Sequence, residues 1–227
     1  AARRLDGWRD WAANGFYMSP NILLQDYLQH SILLAAAFTL GAEELAVLGL
    51  SLRCISLVRF GVLSINIAAS PMISRAIAER DDAKRDSCFR NAALLKTPPA
   101  LLALAGAIIF AGPVLSFFGA EYAEDKSILG WLALIPVASA LFGPNYMLLN
   151  ISGARREVFS ISLAALIVLF AATPLAGVFY GSTGAAIAAA LVFTGWELGL
   201  YLTARLKYAM DASILSIFHK SQSDAGR

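Results

Sequence analysis

Six long apolar stretches lie between Asn21 and Tyr208, and the Lys and Arg residues crowd into alternate gaps between them. About 20 apolar residues carry a helix across a hydrocarbon core roughly 30 Å thick. The stretches read as spans at roughly 20–40, 45–70, 98–118, 128–150, 158–180 and 184–204, with edges good to about 2–4 residues. Backbone amides in lipid must bond within their own segment, which at these lengths leaves helices. The expected fold is therefore all-α, a polytopic membrane bundle of six transmembrane helices with no strand of consequence.

The charge alternation sets a topology. Arg3, Arg4 and Arg9 precede the first span, and the second gap holds Arg75, Arg80, Lys84, Arg85, Arg90 and Lys96. Arg155 and Arg156 fill the fourth gap, and Arg205, Lys207, Lys220 and Arg227 follow the last span. The other gaps, Gly41–Glu44, Gly119–Ser127 and Gly181–Thr183, hold Lys126 alone against Glu43, Glu44, Glu121, Glu124 and Asp125. Lys and Arg resist translocation, so both termini are expected in the cytoplasm of a cytoplasmic (inner) membrane protein. The chain divides into a cytoplasmic segment 1–18, a six-helix lobe 19–206, and a tail 207–227 with an amphipathic turn (Ile214, Leu215, Ile217, Phe218) before a polar end.

Composition supports this division. The apolar fraction is 58% and the net charge only +2, with a mean hydropathy of +0.65. So small a charge, split by side, argues against nucleic acid and suits anionic lipid headgroups. Cys54 and Cys88 fall in a span and a cytoplasmic gap, so no disulfide is expected. The first span, with Gln25, Asp26 and His30, is too long and polar for a cleavable leader. The start at Ala1-Ala2 reads as a fragment or a trimmed product. The gap Pro71–Lys96 reads as a helix along the membrane surface or as a simple elbow, and Thr97-Pro98-Pro99 as the opening of the third span. Pro113, Pro136, Pro144 and Pro174 should bend their helices, Gly143-Pro144 most of all.

Ionisable groups inside spans each cost several kcal/mol unless they face protein, water or ligand. Arg53 and Arg59 lie about 120° apart on span two with Ser56 between them. Asn66 and Ser70 continue the face on the Arg59 side and Ser64 on the Arg53 side, so this broad polar face should look into the bundle. A guanidinium fork suits phosphate; snorkelling or pairing with acids is the alternative for both arginines. Asp26 and His30, four apart on span one, have the composition of a proton or ion-coupling site, or Asp26 pairs with an arginine. Glu197 in span six is expected to neutralise Arg53 or Arg59 or to bind a cation. Asn145 and Asn150 are expected to bond across helices, and Gly195 and Gly199 to allow close helix contact. No spacing of His or Cys suggests a metal, no Gly-rich loop suggests a nucleotide, and no cofactor or catalytic set is apparent.

Several segments, in order, resemble one family. Gly41-Ala-Glu-Glu-Leu-Ala-Val-Leu-Gly-Leu-Ser-Leu-Arg53 and Ser70-Pro71-Met-Ile-Ser-Arg75 resemble the start of the second lobe of bacterial polysaccharide flippases. Phe117-Phe-Gly-Ala-Glu-Tyr122, Leu148-Leu-Asn-Ile-Ser-Gly153 with Arg155, and Gly181-Ser-Thr-Gly-Ala185 resemble its later turns. The resemblance is to the C-terminal six-helix lobe of the multidrug/oligosaccharidyl-lipid/polysaccharide exporter superfamily, in its O-antigen and exopolysaccharide flippase branch. It implies alternating access by two lobes around a central cavity, so a second, N-terminal lobe of the same protein is an expected partner. It implies a lipid-linked glycan as substrate, whose pyrophosphate meets cationic residues; Arg53 and Arg59 fall in the span that carries them. Asp26 and Glu197 match no motif of the family. A drug/cation antiporter of the same superfamily, with Glu197 or Asp26 as its acid, is the alternative. A polytopic enzyme of envelope-glycan assembly is a third reading, opposed by the short outer gaps.

Overall fold

A computed structural model of the protein describes residues 8–79, 82–119 and 127–208. Arg3 and Arg4, most of the acidic gap before Ser127, and the tail from residue 209 lie outside the described residues. The described residues form helices and contain no strand. The first pass is α1 (Trp8–Gln25) followed by α2 (Leu28–Ala36); α3 (Ala42–Ala78) is the second. The third is α4 (Asp82–Ile109) with α5 (Ala111–Ser116), and the fourth is α6 (Ser127–Leu132), α7 (Leu134–Phe142) and α8 (Asn145–Ile151). α9 (Arg155–Tyr208) makes the last two, turning back at Tyr180 and Gly181, where φ is 59°. This grouping is compatible with six spans. Among the described residues, Ala42–Ala76 and Arg155–Tyr208 are long and apolar enough to cross a membrane by length and composition.

Proline explains where several helices stop. A proline lacks the N–H for the carbonyl four residues back and crowds it. Counting back four from Pro113 and Pro136 gives Ile109 and Leu132, the last residues of α4 and α6. The break before α8 is at Gly143, with φ 81°, and the side-chain amide of Asn145 donates back to the Phe142 carbonyl at 2.6 Å. Pro98 and Pro99 behave otherwise. They do not open a helix, because α4 has been helical since Asp82. Only residues 79–81 separate α3 from α4, and these two helices pack together more extensively than any other pair. Of the two readings of Pro71–Lys96, the elbow between helices fits, since α3 and α4 run through it as the arms of a helical hairpin. Neighbouring helices hold a helix through its prolines in this way.

The two arms of α9 lie antiparallel. The indole N–H of Trp196 donates to Ser162 Oγ at 3.0 Å, and Lys207 approaches Glu157 at 3.7 Å. A Cβ on Gly199 would lie 3.1 Å from Ile161, whereas one on Gly195 would touch nothing. Of the two glycines, only Gly199 is at a close helix contact. This hairpin is the centre of the bundle: α1, α2, α3, α6, α7 and α8 all pack on it. Its second arm brings Ala185, Ala186, Ala189, Ala190, Phe193, Trp196 and Leu200 into the core with Leu28, Ile32, Leu48, Ile128, Leu132 and Leu148.

The gaps sort to two ends. Phe16 and Tyr17 of α1 stack with Phe159 at 5.4 and 5.3 Å, beside the Glu157–Lys207 pair. At the far end, Gly41 donates its amide to Glu44, and the turn at Gly181 closes against that same carboxylate. Among the described residues, Glu157 and Lys207 thus lie at one end, and Glu44 with the Gly181 turn at the other. Between them the outer surface carries Leu57, Phe60, Ile67, Leu102, Ile108, Ile167, Leu175, Val178 and Leu206, all largely exposed. An apolar belt on that scale suits hydrocarbon and not water.

Candidate functional site

The break between α1 and α2 opens the site. The amides of Asp26 and Tyr27 both point to the Ile22 carbonyl, and the helix ends with its last carbonyls unpaired by helix amides. One of them, on Gln25, accepts a hydrogen bond of 2.9 Å from the Arg59 guanidinium. A cation is well placed at a helix C-terminus, where the partial charges are negative. The guanidinium also lies 5.5 Å from the centre of the Phe193 ring, a cation–π contact.

Behind Arg59 the interior is charged. Glu197, 4% exposed, comes from the second arm of α9, accepts a hydrogen bond from Ser139 of α7, and interacts electrostatically with Lys96 and Arg59. Lys96, on α4, is fully buried, and its ammonium has no hydrogen-bond partner among the described residues. Four helices therefore converge on two cations and one acid. Arg59 also interacts electrostatically with Asp26.

In front of Arg59 lies a groove of about 370 Å³ lined by Gln25, Asp26, Leu63, Ile67, Ser70, Pro71, Pro144, Tyr146 and Met147. Leu63 is one turn on from Arg59 and Gln25 accepts its hydrogen bond, so Arg59 adjoins two residues of the groove's lining without being one of them. Tyr146 hydrogen-bonds to Asn21 and Asn150, and Asp26 acts on it electrostatically. The groove is thus a mixture of apolar wall and hydroxyl, amide and carboxylate groups.

The other expected residues fall as follows. Arg53 is exposed, away from this site, and Ser56 spends its hydroxyl on the Arg53 carbonyl at 2.7 Å. Ser64 is exposed and donates to the Phe60 carbonyl. Asn66 lies within α3, and its side chain is outside the described residues. Asp26 and His30 are separated by the α1–α2 break, so they do not stack one helical turn apart; His30 is exposed beside the Tyr27 ring at 6.0 Å. Asn145 and Asn150 donate to carbonyls of their own segment, Phe142 and Tyr146, and not across helices. Cys54 and Cys88 are free thiols. Among the described residues no three His, Cys, Asp or Glu side chains group as metal ligands.

Lys96 and Ser139 are the site residues that sequence reasoning missed. Lys96 was counted with the cytoplasmic cations, yet it lies inside the bundle. The apolar run Ala92-Ala-Leu-Leu95 ahead of it carries the signal. With the apolar stretch from Pro98 onward soon after it, such a cation belongs to a helix that continues into the bundle.

The sequence of residues 21–175 matches the MatE family model. This chain belongs to the MatE family. Its members are membrane exporters, and the helical, apolar-belted fold is that of a multi-pass membrane transporter. No curated protein and no solved structure matches the chain. The family match contains Asp26, Arg59 and Lys96 and stops before Glu197, which joins them only through the fold.

Proposed function

We propose that this MatE chain is one lobe of a flippase that carries polyprenyl-pyrophosphate-linked sugars across the cytoplasmic membrane for polysaccharide biosynthesis, by alternating access. The observation that carries this reading is the charge inside the lobe: Arg59 and Lys96 stand against Glu197, the single buried acid among the described residues. An excess of positive charge in a low-dielectric setting attracts an anion and repels a cation. A pyrophosphate entering the groove would meet the Arg59 fork beside its lining, and paired N–H donors match phosphate oxygens. Asp26, Gln25, Ser70 and Tyr146 offer the donors and acceptors that sugar hydroxyls need. The ordered resemblance to polysaccharide flippases supports the same substrate. On this reading both termini are cytoplasmic, and a second lobe supplies the opposite wall of the cavity.

The drug/cation antiporter reading draws on Glu197, a deeply buried acid of the kind a coupling cation could use. Its two cationic neighbours work against that use. Two assays separate the readings: glycan export in cells whose only copy of the gene is deleted and restored, and resistance of the same cells to cationic dyes. Loss of export without loss of dye resistance supports the flippase. Loss of dye resistance with normal glycan would replace it by the antiporter.

A further inference from the structure

The α3–α4 hairpin carries a furrow that the proposed function does not use. Its walls are one stripe of each helix. On α3 the stripe runs through Ser64, Ala68, Met72, Arg75 and Glu79, and on α4 through Cys88, Asn91 and Leu95. Steps of three and four residues keep each set on one helix face. The furrow has two sections, and Met72 and Cys88 line both. The first, about 380 Å³, is walled almost wholly by hydrocarbon from Ile65, Ala68, Ala69, Ala92 and Leu95. Ser64 in that wall has already given its hydroxyl to the Phe60 carbonyl at 2.8 Å. The second, about 690 Å³, adds Arg75, Glu79 and Ser87. Met72 and Leu95, both 64% exposed, place the opening on the apolar belt.

The dimensions are those of one lipid in one leaflet. At 1.5 Å per residue, Ser64 to Met72 covers about 12 Å of α3 and Met72 to Glu79 about 10 Å. Half of a hydrocarbon core is about 15 Å, with a polar interface of several Å beyond it. The charged section belongs to the basic second gap, so it lies among cytoplasmic headgroups. Charge then selects the lipid. Arg75 and Glu79 stand one helical turn apart, about 5–6 Å. A phosphate suits the arginine fork, and a primary ammonium beside it suits the carboxylate. A headgroup with negative charge alone would bring that charge up to Glu79. A choline headgroup has no N–H to donate.

We propose that this furrow binds phosphatidylethanolamine of the cytoplasmic leaflet, with its phosphate on Arg75, its ammonium on Glu79 and one acyl chain between Met72 and Ser64. Pro71 lines both the charged section and the candidate substrate groove. The lipid therefore rests against the same stretch of α3 that walls that groove. The proposal does not depend on which substrate the groove receives.

Purified full-length protein, stripped of lipid in detergent, gives the test through its melting temperature. Added phosphatidylethanolamine should raise it saturably, and by more than phosphatidylglycerol or phosphatidylcholine with the same acyl chains. Arg75→Gln and Glu79→Gln should each raise the half-saturating concentration about tenfold or more. Ala68→Phe fills the apolar section from an exposed position and should abolish the shift. Leu102→Phe, exposed on α4 outside the furrow, should keep it. Equal shifts from the three lipids, a preference for phosphatidylglycerol, or an unchanged titration in Arg75→Gln or Ala68→Phe overturns the site. A second measurement needs no variant, and it decides alone if Ala68→Phe does not accumulate. Phosphatidylethanolamine with a diazirine at mid-chain is photolysed with the parent protein in nanodiscs. The label should concentrate on residues 64–72 and 88–95. Uniform labelling of the apolar belt overturns the proposal, as does absence of label from the furrow because another part of the protein covers it.

Discussion

Arg59 donates to the Gln25 carbonyl at 2.9 Å, across 34 residues of sequence, at the point where the first pass of the bundle breaks. The contact satisfies a helix end, and it ties Arg59 to a residue that lines the groove; pairing with a headgroup there would be its second task. Lysine carries the charge for the first but lacks the planar fork for the second. Arg59→Lys should therefore keep normal membrane levels and lose most glycan export, and Arg59→Ala should lose nearly all of it. Export normalised to protein level in the membrane measures both. Full export by Arg59→Ala would reduce Arg59 to a helix cap.

Glycine positions in α9 should separate sharply. Gly184 faces the Ala176 carbonyl so closely that a methyl group would collide with backbone, which cannot move aside, whereas Gly195 faces open space. Gly181 combines φ 59° and ψ −149°, backbone that only glycine adopts readily, and strain of this kind costs about 1–3 kcal/mol. Gly184→Ala and Gly181→Ala should both reduce the amount of folded protein in the membrane, and Gly195→Ala should leave it unchanged. Detergent-solubilised fluorescence size-exclusion profiles compare the three. Equal profiles for Gly184→Ala and Gly195→Ala would mean the hairpin closes differently.

The spans were legible because hydropathy and charge alternation act over whole segments, and a helix in lipid has few alternatives. Breaks at Gly143 and before Pro113 and Pro136 were legible for a local reason, the missing amide. Pro98 and Pro99 were misread because α3 packs along α4 and holds it helical, a tertiary effect with no local trace. Arg59 and Glu197 drew notice singly, through the cost of burying charge. Their meeting with Lys96 and Ser139 depends on how four helices cross, which periodicity within each helix does not encode. The same limit applies to Asp26 and His30: spacing alone stacks them, and the α1–α2 break separates them.

The bond from Trp196 to Ser162 joins the two arms of α9 in the core. Side-chain hydrogen bonds between membrane helices average about 0.6 kcal/mol, so Ser162→Ala should destabilise only slightly. Trp196→Ala also removes the ring stacked on Phe193 at 5.2 Å and should cost about 3–5 kcal/mol. Chemical or thermal melts of the two variants in the same detergent give the comparison. A larger loss from Ser162→Ala than from Trp196→Ala would show that the bond, and not ring packing, holds the arms together.

The sorting of gaps to two ends carries a prediction about sidedness. Glu43 and Glu44 lie at the end closed by Gly181, while Arg156 and Lys207 lie at the end marked by Phe159. Basic residues stay on the cytoplasmic side, so the Glu43 end should face outward. In a background with Cys54→Ser and Cys88→Ser, a cysteine placed at Glu43 should react with a membrane-impermeant maleimide in intact cells. One placed at Arg156 should react only after the membrane is opened. The pairing of ends is fixed by the fold, so the two labels must always differ in side. Labelling of both positions in intact cells would contradict the bundle itself, and exchange of the two results would invert its orientation while leaving the packing as described.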